Sequence, residues 1–193
     1  MNSQSVTPGH RMQGFTMIEL IVVIVILGIL AAVALPRFTN IQRDARIAKL
    51  NAARGAVLAA AGMIHGVALA RGGAADGAAC PANLGPAPLI ANNATNVCTE
   101  SGRVQIVNGY PTANMNGIIS AAGLTSIFPA NPAALVNERM ATVGGGAGAG
   151  AAIIIQVTGG AAPATCSFTY TAPAVANTAP VVTQIAAANT VGC

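Results

Sequence analysis

The stretch Gly14–Phe38, GFTMIELIVVIVILGILAAVALPRF, places one carboxylate, Glu19, among residues otherwise suited to lipid. An acidic group at the centre of a membrane-spanning helix costs about 2.5–3.5 kcal/mol on insertion scales, and an ionisable residue inside such a segment is a functional candidate. One reading leaves Glu19 at the membrane edge, snorkelling or protonated. The other supplies a cation. If the chain is cut after Gly14, a new amine appears on Phe15, and in a neighbouring copy that amine sits at the depth of Glu19. Such a pair would offset the penalty and set axial register between subunits, and this is the reading adopted.

The second group of reactive residues is Cys80, Cys98, Cys166 and Cys193. None forms a C-x-x-C and no histidine neighbours one, which argues against a structural zinc site and predicts no metal. An even, widely spaced set downstream of a membrane segment points to disulfides in an oxidising compartment. Four cysteines allow three pairings; the sequential one, Cys80–Cys98 and Cys166–Cys193, is preferred. The remaining chemistry is sparse. Beyond residue 70 the acids are Asp76, Glu100 and Glu138, with no histidine, so neither a nucleophilic triad nor a carboxylate pair suggests itself. No enzyme and no cofactor are expected. Gly144–Ala151, GGGAGAGA, superficially resembles a phosphate-cradling loop. It lacks a P-loop lysine, follows no clear strand and leads into a β-like run, so it reads as a loop. His65 lacks a second ligand at i+4 and reads as a packing or surface residue. Tyr110-Pro111 reads as a turn, and the sequon at Asn93 as a chance triplet.

The elements that must position these residues follow from hydropathy. Of 193 residues 53% are hydrophobic and only 7% charged, with a mean hydropathy of +0.62, too high for a simple soluble domain. Nine basic against five acidic residues give a net charge of +4 without a dense cluster, and aromatics are 3%. That balance argues against nucleic acid as a partner. Residues 1–14 are polar. Phe15–Leu35 is an apolar run of 21 residues, about 32 Å as a helix, enough to cross a hydrocarbon core of about 30 Å. From residue 36 to 70 the pattern turns amphipathic: Ile47, Leu50, Val57, Ala61, Ile64 and Ala68 recur at three- and four-residue steps, interrupted by Arg54. Arg43, Asp44, Arg46 and Lys49 are expected on the polar side. A continuous helix over Phe15–Ala70 would run about 84 Å, with Gly28 and Pro36 as its weak points. RGGAADG, 71–77, ends it. Strands are expected at Arg103–Asn108, Ala152–Thr158, Cys166–Thr171 and Val181–Ile185. Helix then strands predicts an α+β fold, with the amphipathic half of the helix packed on an antiparallel sheet.

The segment GFTMIEL, the apolar run and ALPRF together resemble the N-terminus of the type IV pilin superfamily, which includes type II secretion pseudopilins. The resemblance implies a leader, 1–14, removed by prepilin peptidase between Gly14 and Phe15, with N-methylation of Phe15. It implies a membrane-spanning and filament-core helix over 15–35, an amphipathic helix over 36–70 and a β-rich globular domain over 71–193. Glu19 takes the place of the family's acidic assembly residue, and Gly28 and Pro36 that of a segment losing helicity in assembled filaments. The run from Pro36 to Leu69, VNGYPTANMNGI (Val107–Ile118) and CSFTYT (Cys166–Thr171) are similar to the major subunit of mannose-sensitive haemagglutinin (MSHA) type pili.

These likenesses imply a structural subunit that polymerises with itself through its N-terminal helix into a surface filament for attachment or motility. Its partners would be prepilin peptidase, the assembly platform in the inner membrane, the membrane before assembly, and a surface or glycan receptor. The globular domain would be periplasmic first and extracellular in the fibre. A pseudopilin acting as a piston in secretion, a minor pilin or tip adhesin, and a conductive filament are the alternatives. The six aromatic residues serve the last poorly. One feature runs against the topology: Arg37, Arg43, Arg46, Lys49 and Arg54 follow the apolar run, whereas the leader offers Arg11, and the positive-inside rule would invert the chain. The cysteines and the resemblance favour the outward domain.

Overall fold

The computed structural model describes residues 15–72 and 95–193. Its element order is α1 (Met17–Arg71), β1 (Asn96–Cys98), β2 (Arg103–Val107), β3 (Tyr110–Pro111), a π-helical turn (Met115–Ile119), α2 (Pro132–Asn137), β4 (Met140–Gly144), β5 (Ala152–Val157), β6 (Ser167–Thr171) and β7 (Val181–Val182). The chain divides into two compact units, the first ending at Ile41 and the second comprising Gln42–Cys193.

In the first unit, α1 is apolar on every side. Side chains from Phe15 to Leu35 are exposed apart from a half-buried Ala34. Apolar residues all round, with none of the burial of a core helix, fit a lipid or helix-bundle environment. Helical geometry continues through both Gly28 and Pro36.

In the second unit, the amphipathic stripe meets two sheets in succession. Leu50, Ala53, Val57, Ala60 and Ala61 join a core with Met140, Ile153, Ile155, Val157, Phe168 and Tyr170 from the sheet ordered β4-β5-β6-β7. One turn further on, Ile64, Val67 and Ala68 pack with Val97, Val104 and Ile106 of the sheet ordered β1-β2-β3. Every strand pairing is antiparallel. The strand sequences explain this: β5 buries Ile153, Ile155 and Val157 and turns the intervening side chains away, and β2 does the same with Val104 and Ile106, the period of two a half-buried strand requires. The alanines of α1 let the sheet approach closely. The helix ends where Gly72 enters the left-handed region at φ 58°, its N–H donating to Leu69 O, as a C-terminal glycine does.

Several sequence expectations need correction. The β residues form two sheets instead of one: β1–β3 cover the last turns of the stripe and β4–β7 the earlier ones, with Val107 and Tyr110 also reaching the larger core. Strand limits tighten: Asn108 leaves β2 with φ 50°, and Ile185 lies outside β7. Tyr110-Pro111 is a strand; the turn is Asn108-Gly109 before it. The glycine-rich segment does follow a strand, β4, and links it to β5 in a hairpin. Arg46 and Lys49 do not simply face solvent. Arg46 Nη1 donates to Cys193 O at 2.6 Å, and Lys49 Nζ donates to Glu138 O. Arg54, the interruption in the stripe, donates from Nε to Thr183 O at 2.8 Å.

Candidate functional site

Glu19 belongs to the first turn of α1, and its carboxylate already has a local partner. Glu19 Oε2 accepts from the Thr16 N–H at 2.9 Å and from the Thr16 hydroxyl at 2.8 Å; the Glu19 N–H donates back to Thr16 Oγ1 at 3.3 Å. Thr16 O accepts from Leu20 N at 3.3 Å. Thr16 is therefore the helix cap and Glu19 the third helical residue of a reciprocal capping box, which satisfies donors that the helix itself cannot. Sequence reasoning missed Thr16, although T-x-x-E before an apolar run is the signature of this arrangement. Phe15 is 85% exposed beside it. Gly14 lies outside the described residues.

Gly28 has open space where a Cβ would project. No contact among the described residues requires glycine there. Pro36 lacks the N–H that would bond the carbonyl one turn earlier, which weakens α1 at that level without ending it.

The cysteines serve the second unit. Cys166 and Cys193 are bonded, with Cα atoms 4.9 Å apart across a sequence separation of 27, and both are buried. Cys98 is also disulfide-bonded; Cys80, its expected partner, lies outside the described residues, as does Asn93.

The GYPTA segment, Gly109–Ala113, is a fastening. Tyr110 stacks on His65 of α1 with ring centroids 3.9 Å apart and planes 6° from parallel, and His65 Nδ1 lies 3.1 Å from Gly109 O. The buried Tyr170 hydroxyl donates to Pro111 O at 2.7 Å. Thr112 Oγ1 contacts Asn114 Oδ1, which accepts from Gly117 N at 2.8 Å and caps the π-helical turn. His65 is thus a packing residue. An open cleft of about 240 Å³ lies between α1 and the segment after the π-helical turn, with Lys49, Ala52, Ala56, Gly123, Leu124 and Glu138 among its walls.

Residues 9–35 match the family model described as the prokaryotic N-terminal methylation motif. A 50-residue stretch is 50% identical to the type IV narrow pilus major component PilA5 of Thermus thermophilus, covering 26% of this chain and 43% of that protein. No solved structure matches the chain. The N-terminal segment thus carries the methylation motif and is similar to that of a type IV pilin. Within the superfamily the similarity is to a narrow-pilus major component, over less than half of that relative's length; these matches do not single out the MSHA type.

Proposed function

We propose that the chain is a structural subunit of a type IV pilus, made as a precursor and held in the inner membrane before assembly. Prepilin peptidase removes residues 1–14 between Gly14 and Phe15, and Phe15 is N-methylated. Residues 15–35 span the membrane and then form the filament core by packing against other copies. Residues 36–70 carry the amphipathic helix, and 71–193 the disulfide-containing domain that faces the periplasm and then the fibre surface. The MSHA-like segments extend this to attachment or motility.

The observation that carries the reading is a carboxylate inside an exposed apolar helix within the methylation motif. The amine uncovered on Phe15 of a neighbouring copy supplies its countercharge. Glu19→Gln separates the two tasks of this side chain, because the amide oxygen can still accept from Thr16 while the negative charge is gone. Sheared surface fibres should fall by at least tenfold in Glu19→Gln cells, with the subunit retained in the membrane fraction; the loss of a charge pair worth a few kcal/mol allows more. Wild-type fibre yield from Glu19→Gln would refute the pairing. Mass and N-terminal sequencing of sheared fibres tests processing: the expected first residue is Phe15 carrying one methyl group, and fibres that begin at Met1 would refute the whole assignment.

A further inference from the structure

The sheet β4–β7 turns one face into the core, and its outer face is unlike an ordinary solvent face. Residues 140–193 contain no Lys, Arg, Asp, Glu or His. The strand register aligns the outward side chains in two rows: Val143 beside Ile154 and Thr169, and Ala152 beside Thr171 and Val181. They alternate with Ile153, Ile155, Phe168 and Tyr170, which are buried in the core. Val143 is 50% and Val181 62% exposed, and Ile154, Thr169 and Thr171 are half-buried. A sheet with one face in water ordinarily carries polar and charged residues there. This one carries mostly β-branched residues side by side and no charge. The described charges of the second unit lie before residue 140 and are mostly basic, Arg43, Arg103 and Arg139 among them.

We propose that this outer face docks against the same face of a second copy, held in a neighbouring fibre. The contact rests on the fibre reading given above. Charge selects the occupant. A partner of opposite charge would be drawn to the basic residues elsewhere, and two copies meeting through those residues would repel each other. The outer face carries no such penalty and matches itself, so each copy can lay its rows against the other's as two packed sheets do. Like-to-like contact needs a two-fold axis, whereas copies along one fibre follow one another by rotation and translation, so the pair spans two fibres. Size sets the strength. Four strands about 4.8 Å apart and roughly 17 Å long present about 300 Å² per copy. A pair then buries roughly 600 Å², half of the ~1,200 Å² at which stable complexes begin. Single subunits therefore stay apart, while fibres that align many copies adhere by repetition.

The test uses fibres sheared from cells, with bundles pelleted at low speed and viewed by negative-stain electron microscopy. Wild-type fibres should pellet equally at about 0.05 and 0.5 M NaCl, because the contact holds no charge to screen. They should disperse on cooling, which weakens apolar association. Val143→Lys places like charges on both faces and should lower the pelleted fraction at least about fivefold at low salt, with recovery at high salt. Val181→Lys provides the second arm. Val136→Lys, on α2 and 63% exposed, should leave pelleting unchanged. All three sites are exposed, so the variants spare the fold. Wild-type fibres that stay single, wild-type bundles that salt disperses, or equal effects of Val143→Lys and Val136→Lys would overturn the proposal. Val143-dependent adhesion of single fibres to an octyl-coated surface, without bundling, would reassign the face to a foreign apolar partner and overturn the self-contact. Sheared fibres that lack this chain refute the subunit reading, and the contact with it.

Discussion

Replacing Tyr170 with Phe should destabilise the second unit and also change how its stability depends on pH. The ring is fully buried between the helix stripe and the sheet, and its hydroxyl reaches Pro111 O at 2.7 Å. Phenylalanine keeps the packing and removes the donor, leaving the Pro111 carbonyl without that partner in a buried site. The cost of such a loss is about 1–3 kcal/mol. For a unit of this size each kcal/mol lowers the melting temperature by roughly 2–4 °C, so a fall of about 4–8 °C is expected for a mid-range loss of about 2 kcal/mol. The pH dependence is more specific. Burial, and secondarily the Tyr110 phenol, raise the Tyr170 pKa above its ordinary value of 10.0. The unfolded chain then releases this proton near pH 10 while the folded chain holds it. Above that pH the folded state binds more protons than the unfolded state, and stability falls by up to about 1.4 kcal/mol per pH unit from this group alone. Below pH 10 its contribution is constant. Circular dichroism melts of the full chain in detergent, run at pH 7 and from pH 9.5 to 11, measure both effects. The wild type should lose stability faster than Tyr170→Phe above pH 10, so the two should converge there. Identical melting temperatures at pH 7, or parallel alkaline slopes, would refute the reasoning.

Gly117→Ala should cost about 2–4 kcal/mol in the same melts, because a Cβ there collides with the carbonyl and hydroxyl of Thr112 and the backbone sits at φ −101°, ψ −107°; Gly123→Ala, with open space at its Cβ but φ 59°, should cost only about 1–2 kcal/mol. Replacing Cys166 and Cys193 together with serine should destabilise the second unit by about 3–4 kcal/mol, the loop-closure entropy of a 27-residue separation, read as a lower denaturant midpoint. Thr16→Val should weaken the start of α1 by about 1 kcal/mol, read as roughly fivefold faster amide exchange at Ile18–Leu20 in micelles.

The helix was legible because its periodicity changes character within one element: apolarity interrupted by Thr16 and Glu19 through Leu35, then a stripe through Leu50, Val57 and Ile64 that the structure buries. The strand β5 was legible because Ile153, Ile154, Ile155 and Val157 form a short β-branched run bounded by glycine-rich segments. What escaped was short or weakly coded. β1, β3 and β4 are two to five residues long and include Asn, Pro, Ala and Gly, so tertiary pairing and not local preference makes them strands. Arg46 and Lys49 looked like a solvated face because a charge pattern cannot announce carbonyls that lie 147 and 89 residues away. The box at Thr16 is different. Its two partners are three residues apart, and a threonine three places before an acid at the start of an apolar run is a local signal.

Both bonds from Thr16 end on the same atom, Oε2 of Glu19. Among the described residues the carboxylate's Oε1 is left over, and a cation arriving from another molecule can be received there while the threonine stays in place. Docking through that free oxygen would be an addition and not an exchange, with no moment at which the helix end stands uncovered in lipid.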